Sequence, residues 1–569
     1  MRGRNKAGAW GVYTVTTSPW RMKKPMAMRG LRRMCAVVAV VAAGAALGQE
    51  THPEGKGSFA QAPPQTATAT IHVQAQLVVL DVVVTDRKGN LVTRPLERGD
   101  FTIYENGVEQ RIASFEGPET HRMPGSGAGG AAVAVVHSAA DLSRIGNAPV
   151  TVLVLDELNS AFADMSFSRQ MLVKYLEAQP KVLREPTVLM VAKNTSFEQM
   201  HDYTQDRDAL VEAVKKHMPE NPWRLNNSGK AGPGAVERMA QVMAALGQIA
   251  QASEGTPGRK NLIWVGNGFP SADLTGLPNN QADTIVAAMR RVTAELLAAR
   301  VTMYTINPIA TSSDTVELDD PSDLATSMNS GGGDPFGTGQ VSFTNLAPST
   351  GGIAFTGRND LNNVIGEGIA KGQEYYTMSY APTDRTQDTA KFRTIKIVMK
   401  DKDLRATTRD GYYPETAATL NPVVDKGMSA AQVKANLQLD LSNALLTTIS
   451  YNGLRVTAEK NGGGYVIHVA EQGIGWSEEG ANGAVHEEAT LAAGWYDAKG
   501  KLLGHVAREQ LSQRGGPDAG ARFELPVELP RGVARLRIVV RDAINGHMGT
   551  VDLKMQGAGS REQGAGSRE

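Results

Sequence analysis

The twelve residues Pro149–Ser160, P-V-T-V-L-V-L-D-E-L-N-S, constrain the fold more than any other stretch. Five of the six residues Val150–Leu155 are apolar and three of them are valine. A run this short, apolar at odd and even positions alike, predicts a strand covered on both faces, as in a parallel sheet. The run stops at Asp156, Asn159 and Ser160. Polar side chains just past the carboxyl end of a central strand lie where open α/β sheets take ligands.

The same kind of run recurs at Thr187–Ala192, Asn261–Val265 and Val301–Ile306. Between these runs, residues 166–176, 206–217, 236–250 and 283–299 carry apolar side chains at helical spacing. Strands alternating with helices imply parallel pairing through right-handed crossovers. The expectation is an α/β fold with a doubly wound, mostly parallel sheet over residues 148–413. A Ser/Asp/Gly-rich insertion at 311–340 has no capacity to form core and reads as a flexible surface segment. Upstream, Leu77–Val84, Phe101–Glu105 and Arg111–Phe115, with the hairpin signal Asn106-Gly107, predict a small β module over 71–117. A Gly/Ala-rich linker follows at 118–147. Downstream, residues 414–436 read as a linker and 437–555 as a β-sandwich of short strands between turns. Residues 556–569 repeat Gln-Gly-Ala-Gly-Ser-Arg-Glu twice and read as a disordered tail.

The first 48 residues hold nine of the 59 basic side chains and none of the 59 acidic ones. Arg29, Arg32 and Arg33 precede the apolar run Met34–Leu47, and small residues follow it. This pattern predicts a secretory signal peptide over 1–48, too short in its apolar part to span a membrane, and then a disordered spacer over 49–70. The protein is therefore expected to be exported, to the periplasm or beyond. What remains carries a net charge of −9, a poor match for nucleic acid. The one cysteine, Cys35, lies in the leader. The exported part thus has no disulfide, thiol nucleophile or thiolate metal site.

Two resemblances sharpen this reading. The text VVVTDRKGNLVTRPLERGDFTIYENGVEQRIASF, followed later by Thr350-Gly351-Gly352, the Tyr376–Tyr380 strand and Arg409-Asp410-Gly411-Tyr412, resembles the VWFA-related family of exported bacterial proteins described from Acidobacteria. The likeness covers about Val78 to Tyr413. Within it, Asp156–Ser160 resembles the D-x-S-x-S motif that ends the first strand of a von Willebrand factor type A domain. In those domains the motif holds a divalent cation in the metal-ion-dependent adhesion site. The resemblance implies Asp156 and Ser160 as metal ligands. It puts Asn267, in the turn Gly266-Asn267-Gly268, where the family has a second Asp, and makes Ser228 the nearest substitute for a Thr on another loop. Leu158 stands where a coordinating Ser belongs, and Asn267 brings no charge. Mg²⁺ gives up water reluctantly and needs hard oxygen ligands. The implied site is degenerate: no cofactor is expected, with weak Mg²⁺ or Mn²⁺ binding at most.

No catalytic constellation stands out. The ten histidines are scattered without H-E-x-x-H spacing. No G-x-S-x-G occurs, and Gly255–Lys260 precedes a strand rather than the helix a phosphate cradle needs. The expectation is a non-enzymatic, exported, protein-binding protein. Its partner would dock on the carboxyl-end loop face around Asn159, Asn267 and Phe269. A structural or assembly role at the cell envelope, through the β modules, is the alternative. A hydrolase built on an unrecognised acid–base pair is the remote one.

Overall fold

The computed structural model describes residues 77–124, 135–228, 234–269, 272–274, 279–308, 336, 340–384, 391–414, 429–477, 485–514 and 519–555. The expected signal peptide, spacer and tail, and nearly all of the 311–340 insertion, lie outside them.

The chain opens with β1 (Val78–Asp86), β2 (Phe101–Glu105), β3 (Val108–Gln110) and β4 (Ile112–Glu116). Asn106 and Gly107 take φ of 49° and 79°, the positive values that a tight two-residue hairpin requires. The middle of the chain supplies β5 (Val150–Asp156), α1 (Phe162–Glu177), β6 (Val182–Ala192), β7 (Phe197–Asp206), α2 (Arg207–Lys216), α3 (Trp223–Ser228) and α4 (Gly234–Ser253). It continues with β8 (Lys260–Val265), the short β9 (Ala272–Asp273), α5 (Asn279–Ala298), β10 (Val301–Ile306), the short β11 (Gln340–Val341), β12 (Ala354–Phe355) and α6 (Leu361–Gln373).

Six of these strands form one mixed sheet in the order β12-β10-β8-β5-β6-β7, parallel except for β7. All seven residues of β5 are buried. Val150, Val152 and Val154 join a core with Val242 and Leu246 of α4 and Val292 and Leu296 of α5. Leu153 and Leu155 join another with Leu172 of α1, Leu210 of α2 and Ile365 of α6. Helices on both faces explain why the run is apolar at every parity. Strand β7 was not foreseen. Its sequence, FEQMHDYTQD, is polar because an edge strand buries little. It ends in Asp206, which caps α2 by accepting from the amides of Asp208 and Ala209.

The expected boundary between the N-terminal β module and the α/β region does not hold. β13 (Tyr376–Tyr380), β14 (Arg393–Met399), β15 (Leu404–Thr407) and β16 (Gly411–Tyr412) leave the central sheet. They interleave with the first four strands in two antiparallel sheets, β15-β1-β13-β4 and β16-β14-β2-β3. Val78 pairs with Tyr380 and Phe101 with Met399. A shared core of Leu80, Val82, Phe101, Ile103, Met378, Tyr380 and Ile395 lies between them. Each set of strands covers the apolar side chains of the other. Buried Glu105 lies in this core. It accepts hydrogen bonds from Tyr380 Oη (2.7 Å), Tyr412 Oη (3.0 Å) and Arg393 Nη1 (3.2 Å).

Two expected linkers also carry structure. In 118–147, Ala139–Arg144 forms a short 3₁₀ turn whose Ala139 and Leu142 join the core beneath β5. Across the expected 414–436 linker and the start of the sandwich runs a helix, α7 (Ala430–Leu446). Leu437, Leu441, Ala444 and Leu445 share one helical face and pack on Ala492 and Val539. Beyond it come β17 (Val456–Asn461), β18 (Gly464–Val469), β19 (His486–Tyr496), β20 (Leu502–Gln513), β21 (Ala521–Pro526), β22 (Arg535–Asp542) and β23 (Met548–Lys554). They build two antiparallel sheets, β17-β18-β21 and β20-β19-β22-β23, around a common core. Among the described residues no helix is long and apolar enough to cross a membrane.

Arg393→Met should leave buried Glu105 without its cation. The expected loss is about 3–5 kcal/mol, read from the urea midpoint of unfolding.

Candidate functional site

Strand β5 sends its chain through α1 to β6 on one side, while β8 flanks it on the other. The connections therefore part at the carboxyl ends of β5 and β8, the position where open sheets form a crevice. Asp156 ends β5 at this point, and Gly266-Asn267-Gly268-Phe269 follows β8.

The Asp156 carboxylate is buried and surrounded by donors. Oδ1 accepts from the amides of Leu158 (3.0 Å) and Asn159 (2.9 Å). Oδ2 accepts from the Gly268 amide (2.7 Å) and the Trp264 indole N–H (3.2 Å). Burial pushes its carboxyl up to about 6, and these four donors pull the other way. The turn after β8 is shaped around it. A side chain at Gly266 would place its Cβ 2.2 Å from Asp156 Cβ, and one at Gly268, whose φ is +61°, would enter the Phe343 ring.

The other expected residues are near, in structural roles. Ser160 Oγ accepts from the Asn267 amide (3.3 Å), and Asn267 Nδ2 donates to the Asn159 carbonyl (3.2 Å). Arg238, buried on α4, donates from Nε to Asn159 Oδ1 at 3.0 Å. Asn159 Nδ2 and Asn267 Oδ1 are buried without a hydrogen-bond partner. Leu158 is fully buried in the core under α4. Ser228 is the last residue of α3. A hard cation needs several oxygens with free lone pairs. Here a leucine takes one ligand position, and the one carboxylate already accepts from four N–H groups. The residues present do not fit such an ion.

The partner-facing role expected of Asn159 and Phe269 needs correction. They are 4% and 2% exposed. Phe269 packs edge-on against Phe343, which in turn meets Trp264. An aromatic trio thus fills the space below the rim. Asn267 is half-buried.

Sequence reasoning missed two features of the rim. Glu157, buried beside Asp156, accepts from the Glu220 amide (3.1 Å), and its Oε1 lies 2.5 Å from His217 Nε2. Asn194 after β6 joins this cluster by donating to the Asn221 carbonyl at 2.9 Å. These bonds hold the 217–223 segment over the end of the sheet. The second feature is exposed apolar surface. Phe162 (54%), Met218 (80%) and Trp223 (48%) project from the segments that follow β5 and α2. Phe162 and Trp223 begin helices that the sequence spacing had not marked at those positions.

No protein-family model and no curated protein matches the chain. Among solved structures, two of proximal thread matrix protein 1 from the mussel byssus show a likeness. One is 13% identical over 31% of this chain and 39% of that one, with a TM-score of 0.19. The other is 9% identical over 39% and 46%, with a TM-score of 0.21. The matched part is less than half of that protein's length, and a likeness this slight carries no argument.

The folded Asp156 carboxyl holds its proton to about pH 6, while an unfolded one releases it near pH 4. Its contribution to stability therefore falls as pH rises through that window and is constant above it. Asp156→Ala orphans four donors and should cost about 2–5 kcal/mol. The gap between wild type and variant should shrink from pH 4 to pH 6, as read by denaturation at stepped pH.

Proposed function

We propose that this is an exported, non-enzymatic protein-binding protein whose central domain is type A-like and works without a metal ion. The finer fold reading rests on the central position of the first parallel strand and on the aspartate at its tip. The export reading rests on the leader sequence. The observation that carries the functional reading is the contrast at the rim. Asp156 is closed off by four N–H donors, while Phe162, Met218 and Trp223 lie open to solvent nearby. Exposed aromatic and methionine side chains around a rigid rim are what protein interfaces use as anchors. In this reading the partner docks on apolar side chains, and the buried carboxylate only fixes the loops that present them.

Calorimetric titration with Mg²⁺ and Mn²⁺ should give no binding heat, and millimolar amounts of either should move the melting temperature by less than about 1 °C. Capture from the exported fraction with this chain as bait should recover the same partner in Mg²⁺ and in EDTA. Phe162→Ser combined with Trp223→Ser should lose it. Recovery that needs Mg²⁺, or that survives the double substitution, would contradict this reading.

A further inference from the structure

The opposite end of the sheet holds a cavity that the rim chemistry does not use. Its volume is about 300 Å³, at the lower end of the range for small-molecule sites. It lies at the amino ends of β5 and β6, between α1 and α6. Thr151, on its floor, is five residues before Asp156, or about 16 Å along an extended strand.

Three features of the chain shape it. Pro186 interrupts β6, since it has no N–H to give the ladder, and the pairing with β7 shifts register between Val182 and Thr187. The preceding residue, Glu185, turns inward and is 6% exposed. Its Oε2 accepts from Thr151 Oγ1 at 3.0 Å. On α6, Gly366 faces Tyr175 of α1, and a Cβ there would already stand 3.3 Å from the ring. The helices thus approach closely along one side and leave the space beside them open.

The lining has a clear polarity. Leu153, Leu176, Leu183 and Ile369 give apolar walls, and the Tyr175 ring borders the space. Glu185 is the one buried charged side chain among the lining residues. The lining cation, Arg184, is 66% exposed and turns toward Glu374 at 3.5 Å. Burial pushes the Glu185 carboxyl up to about 8; Arg184 and Arg259 are the cations that oppose the shift, with Thr151 and Gln373 donating to it. Tyr175 and Tyr304 are the titratable groups that feel its charge. A buried carboxylate without a contacting cation is costly when charged, and a guest bearing a positive charge relieves that cost.

We propose that this cavity binds a small amphiphilic cation: a primary ammonium or amidinium on a compact apolar body. On binding, the Glu185 carboxyl releases its proton to solvent and pairs with the charged head, and the body lies against the leucines and the Tyr175 ring, whose face also attracts cations.

The test is calorimetric titration of the full chain with benzylamine and benzamidine, against benzyl alcohol and benzoate as neutral and anionic counterparts. The cations should bind one to one and at least tenfold more tightly than benzyl alcohol, and benzoate should not bind. Glu185→Gln keeps the shape and should abolish the preference for charge. Ala370→Met, a helix-compatible substitution on the cavity wall, should weaken amine and alcohol alike by filling the space. Circular dichroism on each variant checks that it is folded. The proposal is overturned if neither cation binds, if amine and alcohol bind equally, or if the preference survives Glu185→Gln in a folded protein.

Discussion

The geometry of the carboxyl-end rim depends on one buried carboxylate. Asp156 accepts from two amides of its own loop, one amide of the turn after β8 and the indole of a neighbouring strand. Two separate pieces of chain, the loop after β5 and β8 with its turn, are thereby fixed to one point. Charge-assisted hydrogen bonds of this kind are strong because little solvent competes for them. The glycines on either side of Asn267 follow from the same packing, since a side chain at either would collide with Asp156 or Phe343. An acid that ends a central strand can hold a cation or hold the chain; here its lone pairs are spent on the chain.

That distinction was only half legible in the sequence. The β5 run, the parallel partners β6, β8 and β10, and the aspartate at the strand tip could be read from residue type and spacing. Leu158, whose side chain has no oxygen to offer, argued against a cation beside Asp156. The partners of Asp156 could not be read. Its donors are backbone amides and an indole that reach Asp156 only once β8 lies beside β5. Phe269 looked like a rim residue for the same reason: its cover, Phe343, comes from a distant segment.

Elsewhere the largest miss comes from pairing between distant parts of the chain. Strands β1–β4 look like a small module until β13–β16 return to complete their sheets. Each half shows apolar alternation, but alternation does not name its partner. The edge strand β7 escaped because it buries little, and α7 because its leucines stand at helical spacing between two β-rich stretches. Interleaved strands tie the ends of the central domain together, so a chain with no cysteine after Cys35 gains closure by pairing instead of by cross-links. At the far end of the sheet, a proline in β6 and a glycine on α6 leave a cavity with a carboxylate in its floor. The same scaffold thus has a closed polar centre at one end and an open one at the other.

Amide hydrogen exchange at Leu158, Asn159 and Gly268 tests the central claim most directly. If Asp156 holds the chain, these amides are protected without any metal, the protection is unchanged by millimolar Mg²⁺, and Asp156→Ala removes it. Amides that exchange freely in EDTA and become protected only when Mg²⁺ is added would contradict the account.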